Sequence, residues 1–446
     1  MHGRMSDVMA MILQFTLMLI GMLMGHHLGF VLMSSGLIVG VLAMGSSYLP
    51  FYMNRLWGIM SNWEMLAVPL FLLMGNILAT SGVADKLFDA LYKLMGRLRG
   101  GIAVAVIIVS TVFAACTGVI AASVTTMAIL SMPIMLKYKY DKKLAAGTVM
   151  AGGTLGILIP PSIMLILFGS YSNVSVGKLF VAAVVPGILL AILYVVYVLI
   201  RCYRHPEDGP AMSEKELAGV SRPEVLKEAL TNLVPPVLLI IGVLGSIFAG
   251  IATPTEAAAI GAFVAFIMVI AYRRFEWKTF KAAIFDTARG TAMVLVLVMG
   301  ASFFTGTFIG IGGGDVVRDL LFSLGSGNRW VVFAVMMLIV FVLGMFIDWI
   351  GIAMICLPIF VPIAVELGFD PLWFLMTIAI NLQTSFLTPP FGYAIFFLKS
   401  TMSEQDMTLQ EACQSVPVFI GIQAIGLALC IVFPKIITWL PSLVVK

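Results

Sequence analysis

The sequence predicts an all-α, polytopic membrane protein whose two halves are inverted repeats, each with a re-entrant hairpin and a Pro-Pro-broken helix. Its 446 residues are 61% apolar and only 11% charged, whereas soluble domains keep about 25% of their residues charged. Long stretches such as 102–136 and 144–177 contain no charged side chain, and a helix needs about 20 apolar residues to cross a bilayer core. Finally, a Pro-Pro pair interrupts an apolar stretch in each half.

The first hairpin is predicted by the basic residues on either side of the uncharged stretch 102–136. The flanking clusters are Lys86, Lys93, Arg97 and Arg99 before it, and Lys137, Lys139, Lys142 and Lys143 after it. Basic clusters near membrane segments favour the cytoplasmic side, so the stretch starts and ends on that side. It is too long for one ordinary span and slightly short for two. A re-entrant hairpin with its tip near Cys116–Ser123 fits, provided that protein surrounds the tip.

Downstream charges divide the remaining chain into alternating crossings and a second hairpin. The predicted segments are a crossing at 144–170, a return at 179–200, a charged cytoplasmic connection at 201–231, crossings at 233–250, 251–272 and 292–311, a hairpin at 330–365, and crossings at 372–398 and 416–434. Glu366 and Asp370 follow the second hairpin without any nearby Lys or Arg, which indicates an external flank. The two hairpins therefore enter from opposite sides.

An internal repeat supports this inversion. One shift of the numbering aligns the two broken helices and places Asp141 on Asp370, Thr148 on Thr377, Leu158 on Leu387, and Pro160-Pro161 on Pro389-Pro390. A slightly smaller shift aligns the two hairpins and places Pro133 on Pro358 and Ser123 on Asp348. The loop between hairpin and broken helix is therefore predicted to be longer in the second copy. Inverted repeats with broken helices at the bilayer midplane are typical of secondary transporters.

The broken helices are the first candidate ion sites. Each proline removes a backbone donor and clashes with the preceding turn, so the segments Thr154–Ser162 and Gln383–Gly392 are predicted to unwind. Freed carbonyls and nearby hydroxyls are the ligands that such transporters offer to sodium. The hydroxyls belong to Thr154, Ser162, Thr384, Ser385 and Thr388. The alternative is a packing kink that neighbouring helices satisfy.

Asp348 is the only charged residue of the second hairpin. A carboxylate at bilayer depth costs at least about 3 kcal/mol, which makes it a functional candidate by default. It could offset a bound cation or exchange a proton; the alternative is an interfacial helix cap before Trp349. Its predicted partner Ser123 is neutral, so one half should hold its cation with neutral oxygens and the other with a carboxylate. Glu256, after Pro254, is interpreted as a structural helix-start residue.

Other classes of function find little support. An intramembrane enzyme would need a histidine at membrane depth, but His2, His26, His27 and His205 are terminal, close to a boundary, or in the cytoplasmic connection. The five cysteines have no metal-binding spacing, and a net charge of +4 gives no reason to expect a nucleic acid partner. We therefore predict a transporter without a cofactor; an intramembrane enzyme, a channel and a stand-alone sodium/anion symporter remain as alternatives.

Five motifs in order resemble the large permease subunit of tripartite ATP-independent periplasmic (TRAP) transporters. They are Phe113–Gly118, Gly156–Ser162, Thr253–Ala259, Gly344–Asp348 and Leu387–Gly392. The resemblance covers the whole chain and implies a multi-pass protein of the bacterial inner membrane with an elevator-type ion transporter fold. It implies sodium-coupled symport of a small organic anion, such as a 2-oxo acid or a dicarboxylate. It also implies two partners, a periplasmic solute-binding protein and a separate small four-helix membrane subunit.

The resemblance assigns the sodium and substrate region to the hairpin tips and broken helices. Matching positions are Thr117, Gly118, Gly156, Pro160, Asp348, Gly351, Ser385 and Thr388, to which the residue arguments add Ser123, Thr154 and Thr384. Val119 stands where many members of the family have a hydroxyl. The hairpins and broken helices are predicted to lack Lys and Arg, so bound sodium and helix N-termini would supply the positive charge that an anion needs.

The same motifs imply a division of the chain into five parts. These are N-terminal scaffold helices at 1–100, a first transport repeat at 101–178, further scaffold helices at 179–328, a second transport repeat at 329–400 and a C-terminal helix at 401–446.

Overall fold

The computed structural model describes residues 7–213 and 222–444, which form helices joined by short connections. The α-helices are α1 (Asp7–Leu23), α2 (Leu28–Met44), α3 (Leu49–Met60), α4 (Ala67–Ala79), α5 (Val83–Met95), α6 (Gly101–Thr117), α7 (Ile120–Lys137), α8 (Lys142–Leu158), α9 (Ile163–Ser172), α10 (Val176–Arg204), α11 (Arg222–Phe248), α12 (Pro254–Ala271), α13 (Trp277–Gly310), α14 (Gly313–Gly325), α15 (Arg329–Gly344), α16 (Trp349–Glu366), α17 (Pro371–Ser385), α18 (Tyr393–Thr401), α19 (Leu409–Val432) and α20 (Lys435–Val444). No strand occurs within the described ranges.

The predicted fold class is confirmed. Eight helical segments of the described chain are long and apolar enough to cross a membrane, or nine if Ser46–Met60 and Trp63–Ala79, bent by 51°, form one span. Both hairpins are present, as α6 with α7 and α15 with α16. Both broken helices are present too, as α8 with α9 and α17 with α18, with a cis Pro-Pro bond in each break.

The predicted register between the hairpins is wrong. The connections 138–141 and 367–370 have equal length, so the shift that places Pro160 on Pro389 relates α7 to α16 as well as α8 to α17. The smaller shift arose because α16 contains two prolines, Pro358 and Pro362, one helical turn apart. Pro362 is the structural counterpart of Pro133. The counterpart of Asp348 is therefore Val119 rather than Ser123, and each is the N-cap of the returning hairpin arm.

The match between Asp141 and Asp370 holds in structural terms. Both aspartates are N-caps of the broken helices: Leu144 N donates to Asp141 over 2.8 Å, and Trp373 N donates to Asp370 over 2.9 Å. An aspartate cap satisfies one of the free amides of a first helical turn. Arg201, in the last turn of α10, also donates to Asp141 over 2.9 Å. In both repeats, therefore, an aspartate side chain caps the first turn of the broken helix.

The repeat continues beyond the broken helices. Helix α10 and helix α19 follow α9 and α18 respectively, and the shift that relates the broken helices also aligns the C-terminal ends of α10 and α19 to within one residue. Helices α8, α10, α17 and α19 pack against one another. The most apolar window of α8 and α9 is completely buried by protein, which is the condition for irregular backbone at membrane depth.

The predicted scaffold contains a close contact between α2 and α13. A Cβ added to Gly300 would lie 2.0 Å from Gly29 O, so only glycine permits the two backbones to meet there. The buried Tyr52 hydroxyl donates to Gly36 O over 2.9 Å and contacts the Thr307 hydroxyl at 2.6 Å. These contacts join α2, α3 and α13 into one packed unit.

Glu256 has the structural role that the sequence predicted. It forms a capping box with Thr253 at the start of α12, with Thr253 N donating to Glu256 over 2.8 Å.

The charged connection predicted at 201–231 is partly helical. Helix α10 extends to Arg204 and α11 begins at Arg222. Residues 214–221 of that connection lie outside the described residues, as do the chain's ends at 1–6 and 445–446.

Candidate functional site

A cavity of about 270 Å³ lies where the tips of both repeats meet the scaffold helices. The first repeat contributes Gly118–Ala121 from its hairpin and Ile157 and Ile163 from its broken helix. The second contributes Asp348–Ile350, Phe386, Tyr393 and Phe397, and the scaffold contributes Leu72, Gly290, Met293 and Val294. Two segments from opposite halves of the sequence therefore share one chamber.

Four helices begin at this cavity. Ile120, Ile163, Trp349 and Tyr393 all line it and are the first residues of α7, α9, α16 and α18. The first amides of a helix lack intrahelical partners and carry partial positive charge. Four such ends around one chamber create a field that favours an anion.

The first tip packs onto the first broken helix. Thr117 and Ser123 place their hydroxyls 2.7 Å apart, and a Cβ added to Gly156 would lie 3.1 Å from Ser123 Oγ. Gly118 has a φ of 62°, and a Cβ there would lie 2.9 Å from Pro161 O. The structure thus brings together Thr117, Gly118, Ser123, Gly156 and the Pro160-Pro161 loop as a group of neutral oxygens.

Thr154 lies apart from that group. Its hydroxyl donates to Ala151 O over 2.8 Å within α8, and it faces the Tyr194 hydroxyl of α10. The reason is helical geometry, because residues two apart on a helix point to nearly opposite sides. The side chain of Thr154 therefore points away from the side of α8 on which Gly156 meets Ser123.

The second tip repeats the arrangement with different side chains. A Cβ added to Gly344, at the end of α15, would lie 1.9 Å from Ser385 Oγ, so the hairpin and the broken helix touch there. Ser385 Oγ is buried and has no hydrogen-bond partner in the described chain. Thr384 donates to Asn381 O and Thr388 donates to Thr384 O, each over 2.6 Å. Their hydroxyl lone pairs remain available as cation ligands.

Asp348 is both a helix cap and a residue of the cavity wall. Its carboxylate accepts a hydrogen bond from Ile350 N over 3.1 Å and so caps α16. It also lines the cavity, where it is the only charged side chain among the lining residues. Gly351 lies differently: a Cβ there would meet Leu28 of α2 at 3.1 Å, so this position faces the scaffold.

The prediction that the hairpins and broken helices lack Lys and Arg is wrong at their outer ends. Helix α18 runs to Thr401 and includes Lys399, α8 begins with Lys142 and Lys143, α7 ends at Lys137, and α15 begins at Arg329. Lys399 is occupied elsewhere, with Glu404 and with Met407 O, each at 2.8 Å. None of the cavity-lining residues is Lys or Arg, so the predicted lack of basic side chains holds for the cavity itself.

The aromatic and scaffold walls of the cavity were missed by sequence reasoning. Trp349, Phe386 and Phe397 could have been found, because they flank the hairpin tip and the Pro-Pro break. Leu72 and Met293 could not, because nothing in an apolar scaffold helix marks the residue that faces a distant repeat.

Comparisons with known proteins agree with this architecture. Residues 15–436 match the family described as tripartite ATP-independent periplasmic transporter, DctM component. The chain is 31% identical to the C4-dicarboxylate TRAP transporter large permease protein of Pseudomonas aeruginosa, over 87% of each chain. It is also 31% identical to the sialic acid TRAP transporter large permease protein of Vibrio cholerae, over 94% of this chain and 95% of that one. The crystal structure of the YdaH transporter of Alcanivorax borkumensis has a similar fold, with a TM-score of 0.62 and 15% identity over 91% of this chain and 97% of that one.

Proposed function

Because the chain belongs to the DctM family of TRAP transporter large permeases, we propose that it imports a small organic anion together with sodium ions. Members of this family are transporter permeases of the inner membrane and not enzymes, which agrees with the membrane spans of the chain. The coupling ion and the substrate are the parts proposed here.

The observation that supports sodium coupling is the charge of the shared cavity. Asp348 is the only charged lining residue and is negative, so it repels a carboxylate substrate at close range. Four helix N-termini attract an anion, but the N-terminus of α16 already interacts with its own cap, Asp348, and offsets that charge only in part. A cation bound beside Asp348 and Ser385, with a second beside Thr117 and Ser123, removes this repulsion. Anion binding then requires the cations.

The wall of the cavity favours a compact acid with an apolar body, such as a 2-oxo acid. The polar side chains of the lining are limited to Asp348, Trp349 and Tyr393, so a polyhydroxylated substrate would leave most of its hydroxyl groups without side-chain partners. A second carboxylate, as in a dicarboxylate, would have to be stabilised by helix ends and cations alone. The names of the relatives mention C4-dicarboxylates and sialic acid, which shows how widely substrates differ on this fold.

We also propose that the chain works with two separate partners, a periplasmic solute-binding protein and a small four-helix membrane subunit. Support comes from a longer relative, the sialic acid TRAP transporter permease of Haemophilus influenzae, which is 28% identical to this chain. The match covers 86% of this chain but only 61% of that protein. The part of that protein outside the match has room for a fused small subunit, which in this case would be a separate chain.

Uptake should stop when sodium is removed. The experiment measures accumulation of a radiolabelled 2-oxo acid, delivered by the binding protein, in proteoliposomes that contain the chain and the small subunit. Replacing external sodium by choline at constant ionic strength is expected to abolish accumulation, because Asp348 then faces the anion unneutralised. Uptake at the same rate in choline would contradict the proposal, and sodium-driven uptake without a binding protein would favour a stand-alone symporter.

A further inference from the structure

A second cavity, of about 200 Å³, lies between the scaffold and the first broken helix, and we call it the outer cavity. The scaffold contributes residues of α3, of the short segment between α3 and α4, and of α13, and the broken helix contributes the end of α9. The polar side chains of its wall are those of Asn54, Arg55, Asn62, Ser170, Tyr171 and Ser302.

The outer cavity lies towards the external side of the membrane. Helix α8 begins at Lys142 and Lys143, in a basic cluster that favours the cytoplasmic side. The broken helix that α8 and α9 form ends at Ser172, on the opposite side. Ser170 and Tyr171 lie in the last turn of α9, so the outer cavity is on the side from which an imported anion arrives.

Two helices line both the outer cavity and the cavity that contains Asp348, which we call the central cavity. On α9, Ser170 lines the outer cavity and Ile163 the central one; on α13, Ser302 and Val294 do the same. At 1.5 Å per helical residue, the two cavities are about 10–12 Å apart along both helices. An anion in the outer cavity is therefore one short step from the central cavity.

Arg55 gives the outer cavity a positive charge. It forms no ion pair with an acidic side chain in the described chain, and the cavity wall contains no Asp or Glu. Its guanidinium carbon lies 4.9 Å from the centroid of the Phe51 ring. Stacking uses the face of a guanidinium and leaves the N–H groups at its edge free, and this edge matches a carboxylate in a bidentate geometry.

The neighbouring polar groups of the outer cavity also offer hydrogen-bond donors. The side-chain oxygen of Asn62 already accepts from Glu64 N over 2.9 Å, so its amide N–H groups remain. Ser302 is only 5% exposed, yet among the described residues its hydroxyl has no hydrogen-bond partner, although it lines the cavity. Water donates as well as it accepts, whereas a carboxylate only accepts. A positive wall with an excess of donors therefore selects a carboxylate over water.

We propose that the outer cavity is an entry site, where Arg55 binds the carboxylate of the incoming organic anion before the anion reaches the central cavity. This inference deepens the proposed function and rests on it for the class of ligand. The two sites attract an anion by different means, because the outer cavity has a fixed cation and the central cavity depends on bound sodium. Binding at the outer cavity is therefore independent of sodium, so the two proposals can fail separately.

The test uses Gly58→Cys as a reporter. Gly58 lines the outer cavity, and a Cβ added there would have no neighbour within 4 Å. The full-length variant is labelled with a maleimide in phosphatidylcholine nanodiscs, in choline chloride without sodium, and the chain with only its native cysteines gives the background. Pyruvate, the simplest 2-oxo acid, should slow labelling along a saturation curve, about tenfold at about ten times its dissociation constant.

Arg55→Gln, added to the reporter, is expected to remove the protection by pyruvate, because it keeps a hydrogen-bond donor but loses the charge. Arg55→Lys should restore part of it. Arg329→Gln is the matched control, since the Arg329 guanidinium carbon also lies over an aromatic ring, 5.7 Å from the centroid of Trp330, but Arg329 does not line the outer cavity. Labelling that pyruvate does not slow, or equal protection with and without Arg55, would overturn the proposal.

The headgroup of an anionic lipid could also bind an arginine, so the lipid is varied. Protection by phosphatidylglycerol in the nanodisc, with none by pyruvate in phosphatidylcholine alone, would overturn the proposal in favour of a lipid site. In uptake assays, Arg55→Gln should raise the substrate concentration for half-maximal uptake about tenfold and leave the sodium concentration for half-maximal uptake unchanged. The reverse pattern would contradict an entry site.

The outcome also separates this inference from the proposed function. Protection by pyruvate without sodium, in a chain that shows no sodium-driven uptake, would keep the outer site and reject the proposed function. Sodium-driven uptake without any protection at Gly58→Cys would do the reverse.

Discussion

Replacing Asp348 by Asn is expected to raise the sodium concentration for half-maximal uptake by at least about tenfold, or about 1.4 kcal/mol. The substitution removes the only charged side chain of the cavity wall while it preserves the size of the residue. The loss is large because charge interactions are much stronger in a low-dielectric site than in water. Initial rates of uptake as a function of sodium concentration, in proteoliposomes, measure the shift.

Asp370→Asn is the matched control for this charge. Asp370 and Asp348 are both N-caps of buried helices, and Asn is as good an N-cap as Asp. Both variants therefore keep their helix starts, but only the change at Asp348 removes a charge from the cavity. Equal sodium affinity in Asp348→Asn and the wild type would return Asp348 to a purely structural role.

Gly344→Ala is expected to reduce uptake by more than about tenfold through loss of sodium affinity at the second tip. The added Cβ would lie 1.9 Å from Ser385 Oγ and 2.4 Å from its Cβ, distances that no packed structure tolerates. Either the hairpin or the end of α17 must move, and the unpartnered Ser385 hydroxyl moves with it. Sodium titration of uptake separates this effect from a lower protein yield.

Gly245→Ala tests whether loss of a helical glycine is by itself harmful. Gly245 lies inside α11, and a Cβ there would have no neighbour within 4 Å. Alanine in a helix interior is favoured over glycine by about 0.5–1 kcal/mol, so this variant should keep wild-type uptake and stability. If Gly344→Ala behaved like Gly245→Ala, the contact between the second hairpin and its broken helix would not matter for function.

The elements predicted from the sequence are those marked by local signals. Basic clusters flank the first hairpin, Pro-Pro pairs mark both breaks, and Asp141 and Asp370 mark two helix starts. The repeat register failed locally for a physical reason, because Pro358 and Pro362 are equally good matches for Pro133 and only the equal loop lengths decide between them. With the register corrected, the contrast between the halves is Asp348 against Val119, and the first tip offers only the neutral hydroxyls of Thr117 and Ser123.

The parts that could not be predicted depend on packing between distant segments. Gln423 is the only amide side chain in the uncharged stretch 415–434, and its contact with Tyr194 becomes apparent only when α10 and α19 meet. The orientation of Thr154 away from Gly156 follows from helix geometry, which the motif alone does not reveal. No motif or pattern in the sequence identifies the scaffold residues that line the cavity.

The central claim is that bound sodium makes the cavity able to hold an anion. Its most direct test is equilibrium binding of a 2-oxo acid to the purified chain in nanodiscs, by isothermal titration calorimetry at several sodium concentrations. We predict that affinity for the acid rises with sodium and that the acid raises the affinity for sodium by the same factor, as linkage between two ligands requires. The same affinity for the acid in sodium and in choline would contradict the claim.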